Sequence, residues 1–439
     1  MGIGSVLRRI FGREDALDGA ARRAIDLCQA LLGQRGEASG AALARESLAA
    51  YRMLAAEPRS QFFDVLASAF SPSPDEVGRA ADAYRFDPTS ANLIRLQQAV
   101  EPARQELLRR LNMAPGGTAA LVEMRSAVLE GLGEHPHWEA LDADLSHLLR
   151  SWFNRGFLRL ERIDWRTPAN VLEKLIRYEA VHAIQGWGDL RRRLEGDRRC
   201  FAFFHPQLPE EPIIFIEVAL TREMSAAVQP LLDVQSPVEP PERSNTAIFY
   251  SISNCQKGLR GISFGNFLIK QVAEELRREL PRVRRFSTLS PVPGFRRWLG
   301  DMRVWLAVGP QGEARHAQLA ALERPDWHRS GAAAELEQLL MPLCAHYLLH
   351  ARRNGEPRDP VSRFHLGNGA SLARLNWLGD VSPRGMAQSA GIMVNYVYRL
   401  SKIERNHELF ANEHRIVASR EIERLARDSP LAADAAAHA

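Results

Sequence analysis

Cysteine is scarce in this chain, with four in 439 residues. Cys28, Cys200, Cys255 and Cys344 lie far apart and form no CxxC pair. That excludes a disulfide framework and favours reduced thiols in a cytoplasmic protein. Long apolar runs are missing too. No stretch approaches the roughly 20 apolar residues that span a bilayer, so no membrane partner is expected. Charge of one sign is also lacking: 57 basic residues face 53 acidic ones, a net +4. Such a balance does not argue for nucleic acid, although a mildly basic protein suits a small polyanion. The phosphate-binding GxxxxGK[ST] loop, the dinucleotide GxGxxG and the hydrolase GxSxG are all absent. HExxH is missing as well. His346 and His350 stand one helical turn apart without a third ligand, and are read as polar positions on a helix surface. No metal is expected.

What is present changes character along the chain. The first 150 residues are poor in Val, Ile and Thr. Leu17, Ala21, Ala24, Leu31 and then Leu93, Leu96, Val100, Leu107, Leu108 and Leu111 repeat at helical spacing. Met1 to Arg13 reads as an amphipathic start to the first helix rather than a targeting segment, because Glu14 and Asp15 follow its arginines. The C-terminal Ala437-His438-Ala439 is not a peroxisomal signal. Ser73-Pro74 and Thr89 suit helix starts. The pattern predicts an all-α domain over residues 1–150.

Beyond Trp152 the chain turns β-rich. Cys200 to Phe204, Ile213 to Ala219 and Ala247 to Ile252 read as buried strands. A helix with Leu268, Val272, Leu276 and Leu280 on one stripe follows the third strand, and Val283 to Leu289 reads as the next. Strand, helix, strand at this spacing is a parallel crossover. The loop between them, Arg260-Gly261-Ile262-Ser263-Phe264-Gly265-Asn266, brings glycines and a helix start together. Glycines let the backbone approach a ligand, and the free N–H groups of a helix start favour a pyrophosphate. The segment resembles, in degenerate form, the acyl-CoA loop of the GNAT acetyltransferase superfamily.

Several blocks in order carry a more specific resemblance. They are Ile248-Phe249-Tyr250-Ser251-Ile252-Ser253, Leu289-Ser290-Pro291-Val292-Pro293-Gly294-Phe295 and Phe364-His365-Leu366-Gly367-Asn368-Gly369-Ala370. A further block runs from Asn376-Trp377 to Asn395-Tyr396. The series is similar to malonyl-CoA decarboxylase, over about residues 150 to 400. The resemblance implies an α+β protein: an N-terminal all-α helical bundle that mediates homo-oligomer contacts (a dimer or tetramer), followed over 151–439 by a GNAT-like mixed β-sheet flanked by helices. It implies catalytic roles for Ser290 and His365 and places CoA on the loop from Arg260 to Asn266. Ser263 stands where known eukaryotic members carry an acid, so it is assigned only a substrate contact. Malonyl-CoA and acetyl-CoA are the implied ligands. No cofactor is implied, since the thioester itself accepts the electrons released with carbon dioxide. The expected chemistry has His365 protonating the enolate carbon while Ser290 orients or deprotonates the malonyl carboxyl. Malonate catabolism or control of fatty-acid metabolism is the implied setting. An acyl-CoA-dependent acyltransferase and a non-catalytic acyl-CoA sensor are the competing readings. Tyr396 and Tyr398 fall in an apolar, helix-like run. Core packing is expected there, with Tyr398 also placed in the pocket wall.

Overall fold

The computed structural model describes residues 17–34, 36–262, 264, 268–308, 311–324 and 326–432. The expected helix start at 1–13 lies outside them, as do Ser263, Gly265 and Asn266. The chain packs as two units. The first runs to Arg159 and takes in Phe204–Ile213 and Gln256–Phe264, and the second holds the remainder.

Helices make up the N-terminal part of the first unit. Ala21, Ala24, Ile25, Cys28 and Leu31 from helix Gly19–Gly33 meet Phe62, Phe63 and Leu66 from helix Ala56–Ser68, with Leu107, Leu108 and Leu111 of helix Ala103–Asn112 in the same core. Arg110 closes the first helix by donating to the carbonyls of Leu31, Leu32 and Gln34 at 2.7–3.1 Å, which helix geometry leaves without internal partners. The expected caps form. Ser73 accepts from the Glu76 N–H and Thr89 from the Asn92 N–H. The expected apolar stripe at Leu93 and Val100 does not become core, because helices Pro74–Phe86 and Ser90–Val100 pair with each other and bury no residue.

Ten strands follow: β1 (Arg159–Ile163), β2 (Arg198–His205), β3 (Leu208–Thr221), β4 (Thr246–Asn254), β5 (Arg285–Thr288), β6 (Ser290–Pro291), β7 (Arg352–Arg353), β8 (Glu356–Pro357), β9 (Ser371–Asn376) and β10 (Met393–Tyr398). β7 and β8 form a small hairpin, and the main sheet runs β1-β2-β3-β4-β5-β10-β6 with β9 on β10. β4 and β5 are parallel, joined through helix Leu268–Glu279 as the spacing predicts, while β3–β4, β5–β10, β6–β10 and β9–β10 are antiparallel. A helical first third followed by a mixed sheet flanked by helices is the α+β architecture expected.

Two local expectations change. The run with Tyr396 and Tyr398 is strand β10, not helix. Six residues with Val394 and Val397 are too short for a stable helix, and neighbours on both sides supply ladder partners. The strand expected over Val283 to Leu289 is shorter. β5 stops at Thr288, and Ser290 begins β6, paired with Val394.

Candidate active site

The end of the β4–β5 ladder opens the site. Its last pair is Phe249 with Thr288. Beyond it β4 continues to Asn254, while the other strand leaves β4 and stays on β10 through Ser290 and Pro291. The two diverging segments leave a cavity of about 220 Å³. Phe249, Tyr250, Ile252 and Asn254 line one side, Ser290 and Pro291 another. Pro360, Val361, Phe364 and His365 contribute a further wall, and Val181 completes it. Asn254 and Pro360 are exposed and stand at the mouth.

His365 is set by local sequence. Asp359 caps helix Pro360–Gly367, its Oδ1 accepting from the Ser362 N–H at 2.8 Å, and Pro360 takes the first helical position. His365 then falls in the second turn, 3% exposed. Its Nε2 lies 3.0 Å from Ser290 Oγ, and its Nδ1 2.8 Å from Tyr398 Oη. The Tyr396 ring stacks on the imidazole, centroids 4.6 Å apart. Ser290 donates to Thr288 Oγ1 at 2.9 Å, and that oxygen also accepts from the Tyr396 N–H at 3.1 Å. With the serine proton spent on Thr288, the serine–histidine contact needs an N–H on Nε2, and the Tyr398 hydroxyl then donates to Nδ1. Burial pushes the imidazole down to about 3, so it is neutral at physiological pH. Burial raises the Tyr398 hydroxyl well above its usual range, which keeps it protonated as a donor.

The opposite wall rests on a buried acid. Glu179 accepts from the N–H groups of Val181 and His182 at 2.7 Å and from the Ser251 hydroxyl at 2.8 Å. This pins the turn that carries Val181 to the back of β4. Deeper in, Arg193 bridges Asp189 at 2.8 Å and Glu217 at 2.7 Å.

The structure therefore brings Ser290 and His365 into contact. Tyr398, expected in the pocket wall, is 1% exposed and sits behind His365; it reaches the cavity only through the imidazole. Of the loop assigned to CoA, the described residues are Arg260, Gly261, Ile262 and Phe264, all within the first unit. Arg125 donates to the carbonyls of Gly258 and Arg260 at 2.7 and 2.9 Å, and Gly261 adopts a positive φ of 78°. Gly258 lies so close to helix Gly117–Gly131 that a Cβ there would meet Val122 O at 1.9 Å. Asn368, beside the histidine, turns its amide back to the Phe364 carbonyl at 2.8 Å. His346 is buried against Trp298 rather than on a helix surface, its ring 4.9 Å from that of His350.

Sequence reasoning missed Thr288, Tyr396 and Val181. The first two carried a readable signal. Residues two apart on a strand share a face, so Thr288 accompanies Ser290, and Tyr396 accompanies Tyr398.

A helical unit, a mixed sheet splayed at one ladder and a buried serine–histidine–tyrosine chain facing an apolar cavity define an α+β enzyme. The profile of the malonyl-CoA decarboxylase C-terminal domain matches residues 156–436, and that of the N-terminal domain residues 70–153. The crystal structure of malonyl-CoA decarboxylase from Rhodopseudomonas palustris is 51% identical, with a TM-score of 0.88 over 92% of this chain and 99% of that one. The Agrobacterium vitis structure is 50% identical, with a TM-score of 0.85 and the same coverage. The mitochondrial malonyl-CoA decarboxylase of Anser anser anser is 38% identical over 353 residues, 75% of this chain and 70% of the relative. This chain belongs to the malonyl-CoA decarboxylase family.

Proposed function

We propose that the chain converts malonyl-CoA to acetyl-CoA and carbon dioxide, with Ser290 and His365 acting on the malonyl group. The observation that carries this reading is the 3.0 Å contact between Ser290 Oγ and His365 Nε2 at the wall of the apolar cavity. Family membership supplies the substrate class.

The chemistry follows from what the cavity offers. A malonyl carboxylate loses hydration among Phe249, Ile252, Val361 and Phe364, whereas neutral carbon dioxide loses little there. The pocket therefore favours the neutral product, provided the Ser290 hydroxyl turns from Thr288 Oγ1 to the substrate and holds the carboxylate in line for scission. As the carbon–carbon bond breaks, its electron pair moves into the thioester as an enolate. The Nε2 proton of His365 then passes to the α-carbon as the Tyr398 hydroxyl proton moves onto Nδ1, and solvent reprotonates Nε2 as that proton returns to the tyrosine. No other electron acceptor enters the reaction. The nucleotide end of CoA is assigned to the segment from Arg260 to Asn266. Homo-oligomer contacts are assigned to the helical unit, where Phe86 and Ile94 stand exposed; light scattering on the purified chain tests that.

The deciding experiment is incubation of the purified chain with malonyl-CoA alone. Acetyl-CoA and carbon dioxide are expected without an acceptor. Dependence on an added amine would make the chain a transferase, and tight binding without turnover would make it a sensor. Ser290→Ala and His365→Ala should each lower kcat at least a hundredfold, the scale of a general acid or of a transition-state donor.

A further inference from the structure

We propose that Asp64, His135 and His137 form a zinc site in the helical unit, apart from the decarboxylation chemistry. Asp64 lies in the third turn of helix Ala56–Ser68, and His135 and His137 flank Pro136 where the 3₁₀ turn Pro136–Trp138 begins. One donor atom from each residue lies within 4.8 Å of the other two. His137 Nε2 is 2.6 Å and His135 Nδ1 3.8 Å from Asp64 Oδ1. Zinc–ligand bonds of about 2.0–2.1 Å in a tetrahedron put neighbouring donors roughly 3.3 Å apart. One separation must open by about 0.7 Å and the other close by about 0.5 Å to meet that spacing. Partly exposed side chains make such adjustments by small χ rotations.

The ligands rest on a rigid base. Trp138 is buried, and its indole N–H donates to Asp64 Oδ1 at 2.8 Å. The His135 ring lies flat on the same indole, centroids 4.1 Å apart and planes 3° from parallel. Phe63 meets the indole edge-on at 5.1 Å. Hydrogen-bonded and stacked partners of this kind orient ligands in metal sites. A plain Asp–His hydrogen bond accounts for His137 but not for His135. The His135 imidazole makes no hydrogen bond among the described residues, yet it turns Nδ1 toward the shared carboxylate oxygen. Two imidazoles, one carboxylate and water in the fourth position match the donor set zinc prefers, whereas magnesium favours oxygen ligands. Bound there, the ion ties helix Ala56–Ser68 to the turn before helix Glu139–Trp152, both within one core.

The test is zinc titration of the chelator-treated full chain, read by competition with a chromophoric chelator. Wild type should bind one equivalent at micromolar or better affinity. His135→Ala/His137→Ala should lose that equivalent, and Asp64→Asn should weaken it at least tenfold. Magnesium should not compete. Cobalt should give a tetrahedral visible absorption that the double variant lacks. The zinc-free double variant should decarboxylate at the rate of zinc-free wild type, since none of these residues lines the cavity. If the double variant loses its circular-dichroism signal, His137→Gln carries the same comparison. Absence of micromolar zinc binding by wild type would overturn the site, and so would equal stoichiometry and affinity in the variants.

Discussion

Tyr398 carries the clearest single-residue prediction. Its hydroxyl is the hydrogen-bond partner of His365 Nδ1, so Tyr398→Phe leaves that nitrogen buried and unpaired. The imidazole then loses its fixed tautomer and orientation. We expect kcat to fall about tenfold or more with KM nearly unchanged, as when a buried hydrogen bond of roughly 1.5 kcal/mol acts only on the reacting group. Loss of KM alone would place Tyr398 in substrate binding instead. A second residue-level expectation concerns pH. Because burial pushes His365 down to about 3, the imidazole does not change charge between pH 5 and 8. The profile of kcat should therefore show no inflection near 6.5, the ordinary histidine value. An inflection there that vanishes in His365→Gln would contradict a neutral proton donor. At this scale the sequence was informative about chemistry and silent about contact. Leu-Ser-Pro and Phe-His-Leu marked the two residues, but a serine and a histidine 75 positions apart have no local signal that they meet.

At the scale of elements, helix Pro360–Gly367 aims the histidine, and Asp359 starts it. Asp359 is buried, and its carboxyl is raised by that burial to about 6 despite the N–H groups it accepts from. Two substitutions separate its cap from its charge. Asp359→Ala removes the cap and should cost about 1 kcal/mol, while Asp359→Asn keeps it. The folded carboxyl holds its proton to a higher pH than the unfolded one, so charging it disfavours the fold as pH rises through 6. The stability of Asp359→Asn relative to wild type should therefore improve between pH 5 and 7.5, as urea melts of both proteins would show. Helix starts and buried strands were legible because capping and apolar periodicity are local. The reading failed at β10, where a six-residue apolar run fits either period and only its ladder partners decide. It failed also at Leu93 and Val100, whose helical spacing marks a face without saying what covers it.

Across the whole molecule, buried neutral imidazoles set the response to acid. Burial lowers His182 and His346 to about 4 and His365 to about 3, while unfolded histidines titrate near 6.5. Below that value the unfolded chain binds more protons than the folded one, so stability falls as pH drops from about 6.5 toward 4. Asp359 and Glu217 oppose this, since burial raises their folded carboxyls to about 6 and about 8. Burial also lowers His205 and His350, so five imidazoles outnumber two carboxyls, and the net slope is acid destabilisation. Thermal melts at pH 7.5 and 5 should show a lower midpoint at pH 5, and an unchanged or higher one would refute the assignment. No described helix is long and apolar enough to cross a membrane.

From the sequence alone come the helical first third, the buried strands beyond it, the parallel crossover and the blocks that carry the family resemblance. All are local, set by hydrophobic period, caps and turns or by residues contiguous in the chain. Only the tertiary structure decides that β4 and β6 part company beyond Thr288, that Ser290 Oγ meets Nε2 while Tyr398 holds Nδ1, and that Asp64 converges on two distant histidines. Those facts depend on strand register and on which helix faces pack together. Both are fixed by contacts between residues far apart in the chain, so no window of sequence contains them.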